Sequence, residues 1–170
     1  MSETANAPAA PPPVPPLAVN LQYVKDLSFE VPGAPGIFTS LRSQPQISIN
    51  LDVQVKRIEE TPSVYEVTLA IRAEATEAAA ANGADSAKPR SVFLAELAYA
   101  GIFTLTNIAP ENVEPVLLIE CPRLLFPFAR NVLSDVTREG GFPPVLLQPI
   151  DFVGLWQARR AQQGPPAANA

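Results

Sequence analysis

Between Ile47 and Val55 every second residue is apolar: Ile47, Ile49, Leu51, Val53 and Val55, with Ser48, Asn50, Asp52 and Gln54 between them. A strand turns successive side chains to opposite faces, so this stretch makes one apolar face and one polar face, whereas a helix would scatter the same residues around its axis. Three further segments carry the same period. Leu21, Tyr23, Leu27 and Phe29 are set against Gln22, Val24, Asp26, Ser28 and Glu30. Tyr65, Val67, Leu69 and Ile71 are set against Glu66, Thr68 and Arg72, and Phe93, Ala95, Leu97 and Tyr99 against Val92, Leu94, Glu96 and Ala98. Four strands with one apolar and one mixed face predict an antiparallel sheet covered on one side.

The connections fit that sheet. Val31-Pro32-Gly33-Ala34-Pro35-Gly36 can neither extend a strand nor start a helix, so a long crossover through Pro45 precedes the second strand. Glu60-Thr61-Pro62-Ser63 is a short turn, and the Ala-rich stretch 75–90, with Asn82-Gly83 at its middle, is expected to be a solvated variable insertion. From Asn107 to Arg138 the period becomes helical, through Val113, Val116, Leu117, Ile119, Leu124, Leu125, Phe128, Val132, Leu133 and Val136. Pro122 and Pro127 are expected to break or kink that helix because each lacks a backbone donor. Gly140-Gly141 should end it, and Asp151 should cap a short last helix that runs to about Gln163. The expected class is α+β, a four-stranded antiparallel sheet with helices packed on one face.

The Pro/Ala-rich arm 1–18 and the tail 164–170 lack apolar runs and are expected to be disordered around a domain spanning 19–163. No stretch nears the roughly 18 apolar residues of a membrane span, and the N-terminus has no basic n-region or apolar h-region. A cytoplasmic protein without membrane insertion is expected.

The chain has no histidine and one cysteine, which removes His-based triads, His general bases, His metal sites and intrachain disulfides. Gly-rich phosphate loops and nucleophile elbows are also missing, so no catalytic residue, metal or cofactor is expected. Cys121, beside Pro122 in an apolar helix, is expected to be a packed thiol. Asp26 and Glu30 share a strand face at roughly 13 Å, too far apart for a glycosidase pair. A net charge of -5 disfavours nucleic acid. Residues 59–120 hold ten acidic groups against three basic ones. An acidic sheet surface beside Val24, Val92 and Leu94 is therefore a candidate docking face for a basic partner.

Tyr23-Val-Lys-Asp26-Leu-Ser-Phe29-Glu30-Val-Pro32 closely resembles the first strand of the SecB protein-export chaperones. Tyr65-Glu66-Val67, Phe93-Leu94-Ala95-Glu96-Leu97 and Gly101-Ile102-Phe103 follow in that family's order. So do Cys121-Pro122-Arg-Leu-Leu125-Phe126-Pro127-Phe128-Ala129-Arg130, Gly141-Phe142-Pro143 and Leu147-Gln-Pro149-Ile150-Asp151-Phe152. The likeness runs from about Leu21 to Gln162, apart from the Ala75–Arg90 insertion.

It implies an ATP-independent cytoplasmic holdase that binds unfolded preproteins and passes them to the SecA translocation ATPase. It further implies a homotetramer, assembled as a dimer of dimers, with long apolar grooves. The family's SecA-docking positions match Asp26, Glu30, Leu94 and Glu96. Phe38, Ile47, Ile49, Leu51, Phe152 and Leu155 are the candidate lining of the client groove, and Phe126-Pro127-Phe128 is a candidate subunit-packing surface. Members often carry a Trp before the Gln-Pro pair of the crossover, where Ser43 precedes Gln44-Pro45 here. A SecB-like chaperone dedicated to one client, such as an antitoxin, is the alternative; the intact docking set counts against it.

Overall fold

The structure is a computed structural model that describes residues 15–58, 60–78 and 89–163. In chain order it has β1 (Leu17–Glu30), a one-turn helix α1 (Ile37–Ser40), β2 (Gln46–Arg57), β3 (Val64–Glu77) and β4 (Arg90–Leu105). Then come α2 (Pro110–Pro115), a π-helical turn (Val116–Glu120), α3 (Cys121–Glu139) and α4 (Phe152–Gln163). The strands form one antiparallel sheet in the order β1-β4-β3-β2, so β1 and β2 are its edges. The helices pack on one face, as the alternation requires.

β2 pairs with β3 without interruption, and its period-two pattern translates directly into faces. β1 does not behave that way. Its pairing with β4 shifts between Val19 and Leu21 and again between Val24 and Asp26. Each extra residue turns everything beyond it to the opposite face. Leu27 and Phe29 sit across from Leu97 and Ala95 and face the helices as expected, but Leu21 and Tyr23 lie opposite Ile102 and Ala100, facing away from them. Val24, opposite Tyr99, comes to the helix side.

Two expected boundaries move. β1 begins at Leu17, inside the arm expected to be disordered, paired with Leu105 and backed by a Thr106 N–H bond to the Pro16 carbonyl. β3 continues through Ala75 and Glu77, and β4 starts at Arg90 opposite Glu77, so both ends of the 75–90 insertion are strand. Small alanines hid that extension, for Ala73 and Ala75 are fully buried yet add little to an apolar pattern. The rest of that insertion (79–88), most of the arm (1–14) and the tail (164–170) lie outside the described residues.

The prolines bend the helical rules without breaking the helix. Cys121 N–H bonds the Val116 carbonyl five residues back, which widens the turn just before Pro122. Pro122 then follows directly on the widened turn, in the first turn of α3, and α3 carries Pro127 within it through to Glu139. This continuous rod lies over β4 and β3. Leu125, Ala129 and Leu133 meet Val67, Leu69, Ile71, Leu97 and Phe103 in the core, each large apolar side chain contributing about 1.5–3 kcal/mol. Thr137 is fully buried in α3. It donates to the Leu133 and Ser134 carbonyls and accepts from Val145 N–H at 3.0 Å, tying the extended 143–150 segment to the helix.

Candidate functional site

Because α3 stands over the central strands, the helix-side face of β2 is only partly covered. Ile47 and Ile49 remain 44% and 38% exposed although they face the core, and Phe38 of α1 is 51% exposed. A groove of about 460 Å³ opens here, walled by Leu41–Pro45 of the crossover and by Ile47, Phe93, Phe142, Pro143 and Pro144. Its floor is aromatic. Phe142 lies 5.0 Å from Phe93, 5.3 Å from Phe38 and 6.3 Å from Phe29 between ring centroids.

The glycine pair after α3 makes this cluster possible. A Cβ on Gly140 would fall 2.1 Å from Phe29, and Gly141, at φ +87°, adopts a conformation that suits glycine and turns the chain past Phe38. The crossover wall is pinned from below. Glu77 accepts the backbone N–H groups of Arg42 at 2.7 Å and Ser43 at 3.2 Å. Those bonds, with Arg90 and Arg42 nearby, hold its carboxyl below the usual carboxylate range. Ser43 leaves that wall without a ring, and Phe38, packed on Phe142, supplies exposed aromatic surface nearby.

A second cleft of about 420 Å³ lies between β2 and α4, lined by Leu51, Val53, Leu118, Leu155, Trp156 and Arg159 among others. Arg159 donates to the Val53 carbonyl at 2.8 Å and fixes α4 beside the edge strand. Asp151 caps α4 as expected, accepting Gly154 N–H at 3.0 Å. The six groove candidates therefore divide. Ile47 lines the crossover groove, and Leu51 and Leu155 line the α4 cleft. Phe38 reaches the groove only through its ring contact with Phe142, and Ile49 is the next exposed residue on the same face of β2.

Phe152 belongs to neither. It is 2% exposed, packed edge-on against Phe126 at 6.0 Å, and is a core residue rather than a groove one. The same contact corrects the subunit-packing reading of Phe126, which points inward, while Phe128 is half exposed and stacks on Tyr99 at 6.3 Å. Leu41, Phe93, Phe142 and the Pro143-Pro144 pair were missed as groove residues. Gly141-Phe142-Pro143 was visible as a motif, but nothing in it says that the ring folds back under α1.

The opposite sheet face is polar. Register places Asp26 opposite Ala98, Ser28 opposite Glu96 and Glu30 opposite Leu94, so Asp26, Glu30, Leu94 and Glu96 share the face turned away from the helices. Arg72 donates to Glu96 at 2.5 Å and lies 3.6 Å from Glu74. Val24 and Val92 do not border this patch: Val24 is on the helix side, and Val92 is fully buried in the core. Farther along the face, Glu66 accepts from Lys25 at 2.6 Å and from the Tyr23 hydroxyl, which holds its carboxyl low. The same hydrogen bond, with burial, pushes Tyr23 up to about 12. Cys121 is buried as expected, and burial, with Glu120 beside it, pushes its thiol up to about 12. It is no nucleophile. No described helix is long and apolar enough to cross a membrane.

A covered sheet with an uncovered apolar edge on one side and a charged face on the other defines a chaperone-like binding protein. The same fold occurs in a solved SecB-like chaperone of Mycobacterium tuberculosis in complex with a peptide from an antitoxin, at a TM-score of 0.59 and 14% identity over 79% of this chain and 91% of that one. The family model described as preprotein translocase subunit SecB matches residues 11–163. The protein-export protein SecB of Acidiphilium cryptum is 65% identical over 174 residues, covering 100% of both chains. That of Granulibacter bethesdensis is 69% identical over 149 residues, 88% of this chain and 85% of the relative. The chain belongs to the SecB family of protein-export chaperones.

Proposed function

We propose that this chaperone holds unfolded preproteins in its two helix-side clefts and hands them to the SecA ATPase through its acidic face, in the cytoplasm and without ATP or metal of its own. The observation that carries the client reading is the exposure of Ile47 and Ile49 on the helix side of β2 and of Phe38 on α1, where Phe38 packs against Phe142 of the groove floor. Extended chain laid there gains burial of apolar surface with little demand on its sequence. The cleft at Leu51 and Leu155 lies along the same strand, so one client can occupy both and gain avidity from the linkage.

The docking reading is supported by the placing of Asp26, Glu30, Leu94 and Glu96 on one solvent-facing surface, away from the grooves. Client and ATPase can then be bound together. Assembly as a dimer of dimers is supported by apolar side chains left exposed on the β1 edge and α3: Val19, Val24, Leu27, Leu124 and Phe128.

Light scattering with a denatured preprotein tests the reading. Wild-type chain is expected to suppress aggregation, and Phe38→Ser with Ile49→Asp to suppress it several-fold less at unchanged fold. Equal suppression by both would remove this groove as the client site.

A further inference from the structure

Among the three carboxylates of the docking face, Glu96 stands apart. Asp26 and Glu30 have no ion-pair partner among the described residues, whereas Glu96 is held at 2.5 Å by Arg72. Arg72 sits directly across the β3–β4 register from Glu96, and its guanidinium also lies 3.6 Å from Glu74, two residues along β3. All three side chains are between 40% and 45% exposed.

Next to this pair the sheet dips. One cross-strand row reads Asp26, Ala98, Ala70, Asp52, so two alanines make the floor and an aspartate stands at each end. The resulting hollow, about 320 Å³, is bordered by Arg72 and Glu96 along one side. An incoming lysine or arginine side chain would find Asp26 at one end of the hollow and Glu96 beside it, but Glu96 already occupied.

We propose that Arg72 is an internal competitor for the docking partner: it stands in for the partner's basic side chain on Glu96 in the free chain and is displaced when the partner docks. This rests on the reading of that face as the SecA-docking surface. Glu74 makes the displacement cheap, because Arg72 keeps a carboxylate when it lets go of Glu96. The pair itself is weak. An exposed ion pair shifts an equilibrium by about 1.4- to 5-fold, and removing Arg72 also removes its repulsion of the incoming cation. Arg72 therefore sets the affinity to a releasable level, as a hand-over step needs, and keeps the acidic face from holding any basic surface it meets.

The test is titration of full-length chain with purified SecA at low and high salt, comparing wild type, Arg72→Gln, Glu96→Gln, the double variant and Lys56→Gln. Lys56 lies on the same face roughly 20 Å farther along the sheet and controls for loss of one positive charge. Arg72→Gln is expected to bind about three- to tenfold tighter at low salt, with the gain shrinking at high salt. Lys56→Gln should stay within about twofold, and Arg72→Gln should gain clearly less when Glu96 is already glutamine, because only its repulsion of the incoming cation is then relieved. If wild type binds and Glu96→Gln weakens it, yet Arg72→Gln is unchanged or weaker, the competitor role is overturned while the docking face stands. If Lys56→Gln or the double variant gains as much as Arg72→Gln, general charge explains the effect and the proposal falls. If wild type does not bind, or Glu96→Gln leaves binding unchanged, the docking reading fails and takes the proposal with it.

Discussion

Gly140→Ala reverses the sign that local rules assign to it. At φ −73° and ψ 0° the residue lies in right-handed space that alanine adopts without strain, and replacing glycine at a helix end reduces the entropy of the unfolded chain. Backbone considerations alone predict a gain of about 0.4–1 kcal/mol. The tertiary structure predicts a loss. The new methyl would lie 2.1 Å from Phe29 Cε1 and 2.4 Å from Cζ, against a normal carbon–carbon contact of about 3.5–4.0 Å.

Phe29 would have to retreat by roughly 1.5 Å to restore that contact. It has nowhere to go, with Phe93 at 5.5 Å and Phe142 at 6.3 Å between centroids. Overpacking of this kind costs about 1–3 kcal/mol, which outweighs the entropic gain. Urea unfolding at one fixed protomer concentration measures it, and the expected result is a lower midpoint with an unchanged slope. Because Phe29 leans on Phe142 in the groove floor, client affinity should fall as well. Phe29→Leu in the Gly140→Ala background should recover part of the loss, since a smaller side chain makes room. A midpoint equal to or above wild type would refute the reasoning, as would full additivity of the two substitutions.

Three further outcomes are expected. Phe152→Ala should destabilise by about 3–5 kcal/mol in the same unfolding assay, whereas Phe38→Ala should cost well under half of that and instead weaken client binding, because only the first ring is buried. Thr137→Val should cost about 1–3 kcal/mol by leaving the buried Val145 N–H without an acceptor, and hydrogen exchange at that amide should speed up. Glu77 has a carboxyl lowered in the folded chain, so its contribution is complete above the ordinary carboxylate range. That contribution fades as pH falls through the range and on to the folded value. Stability of wild type measured against Glu77→Gln should therefore converge on acidification, and a difference that stays constant with pH would rule out the Arg42–Ser43 anchor.

β2 was readable face by face, because an alternation such as Ile47 to Val55 has only one strand-like solution and pairs without a bulge, although the strand extends beyond it to Gln46 and Arg57. The capping of α4 by Asp151 and the end of α3 at the glycine pair were readable for the same reason: each depends on residues within one turn. β1 was readable as a strand but not as a face. Whether Tyr23 looks toward the helices depends on where β4 absorbs two extra residues, which is a property of the pair and not of either segment. The docking residues survived that failure because the second bulge precedes Asp26, so the expected alternation holds from there to Glu30.

The groove was the reverse case. Phe38, Ile47 and Ile49 were visible as apolar residues, yet apolar character is the same in a core and in an open cleft. What leaves them exposed is the position of α3 over β3 and β4, one strand short of covering β2. Phe152 carries the same signal and is sealed by Phe126. By itself the sequence determined the four strands, the two faces of β2, the family and the absence of histidine chemistry. Only the tertiary structure decided which apolar residues remain uncovered and which carboxylate already holds a cation. Exposure and pairing are set by what packs alongside, and the partners concerned are far away in the chain.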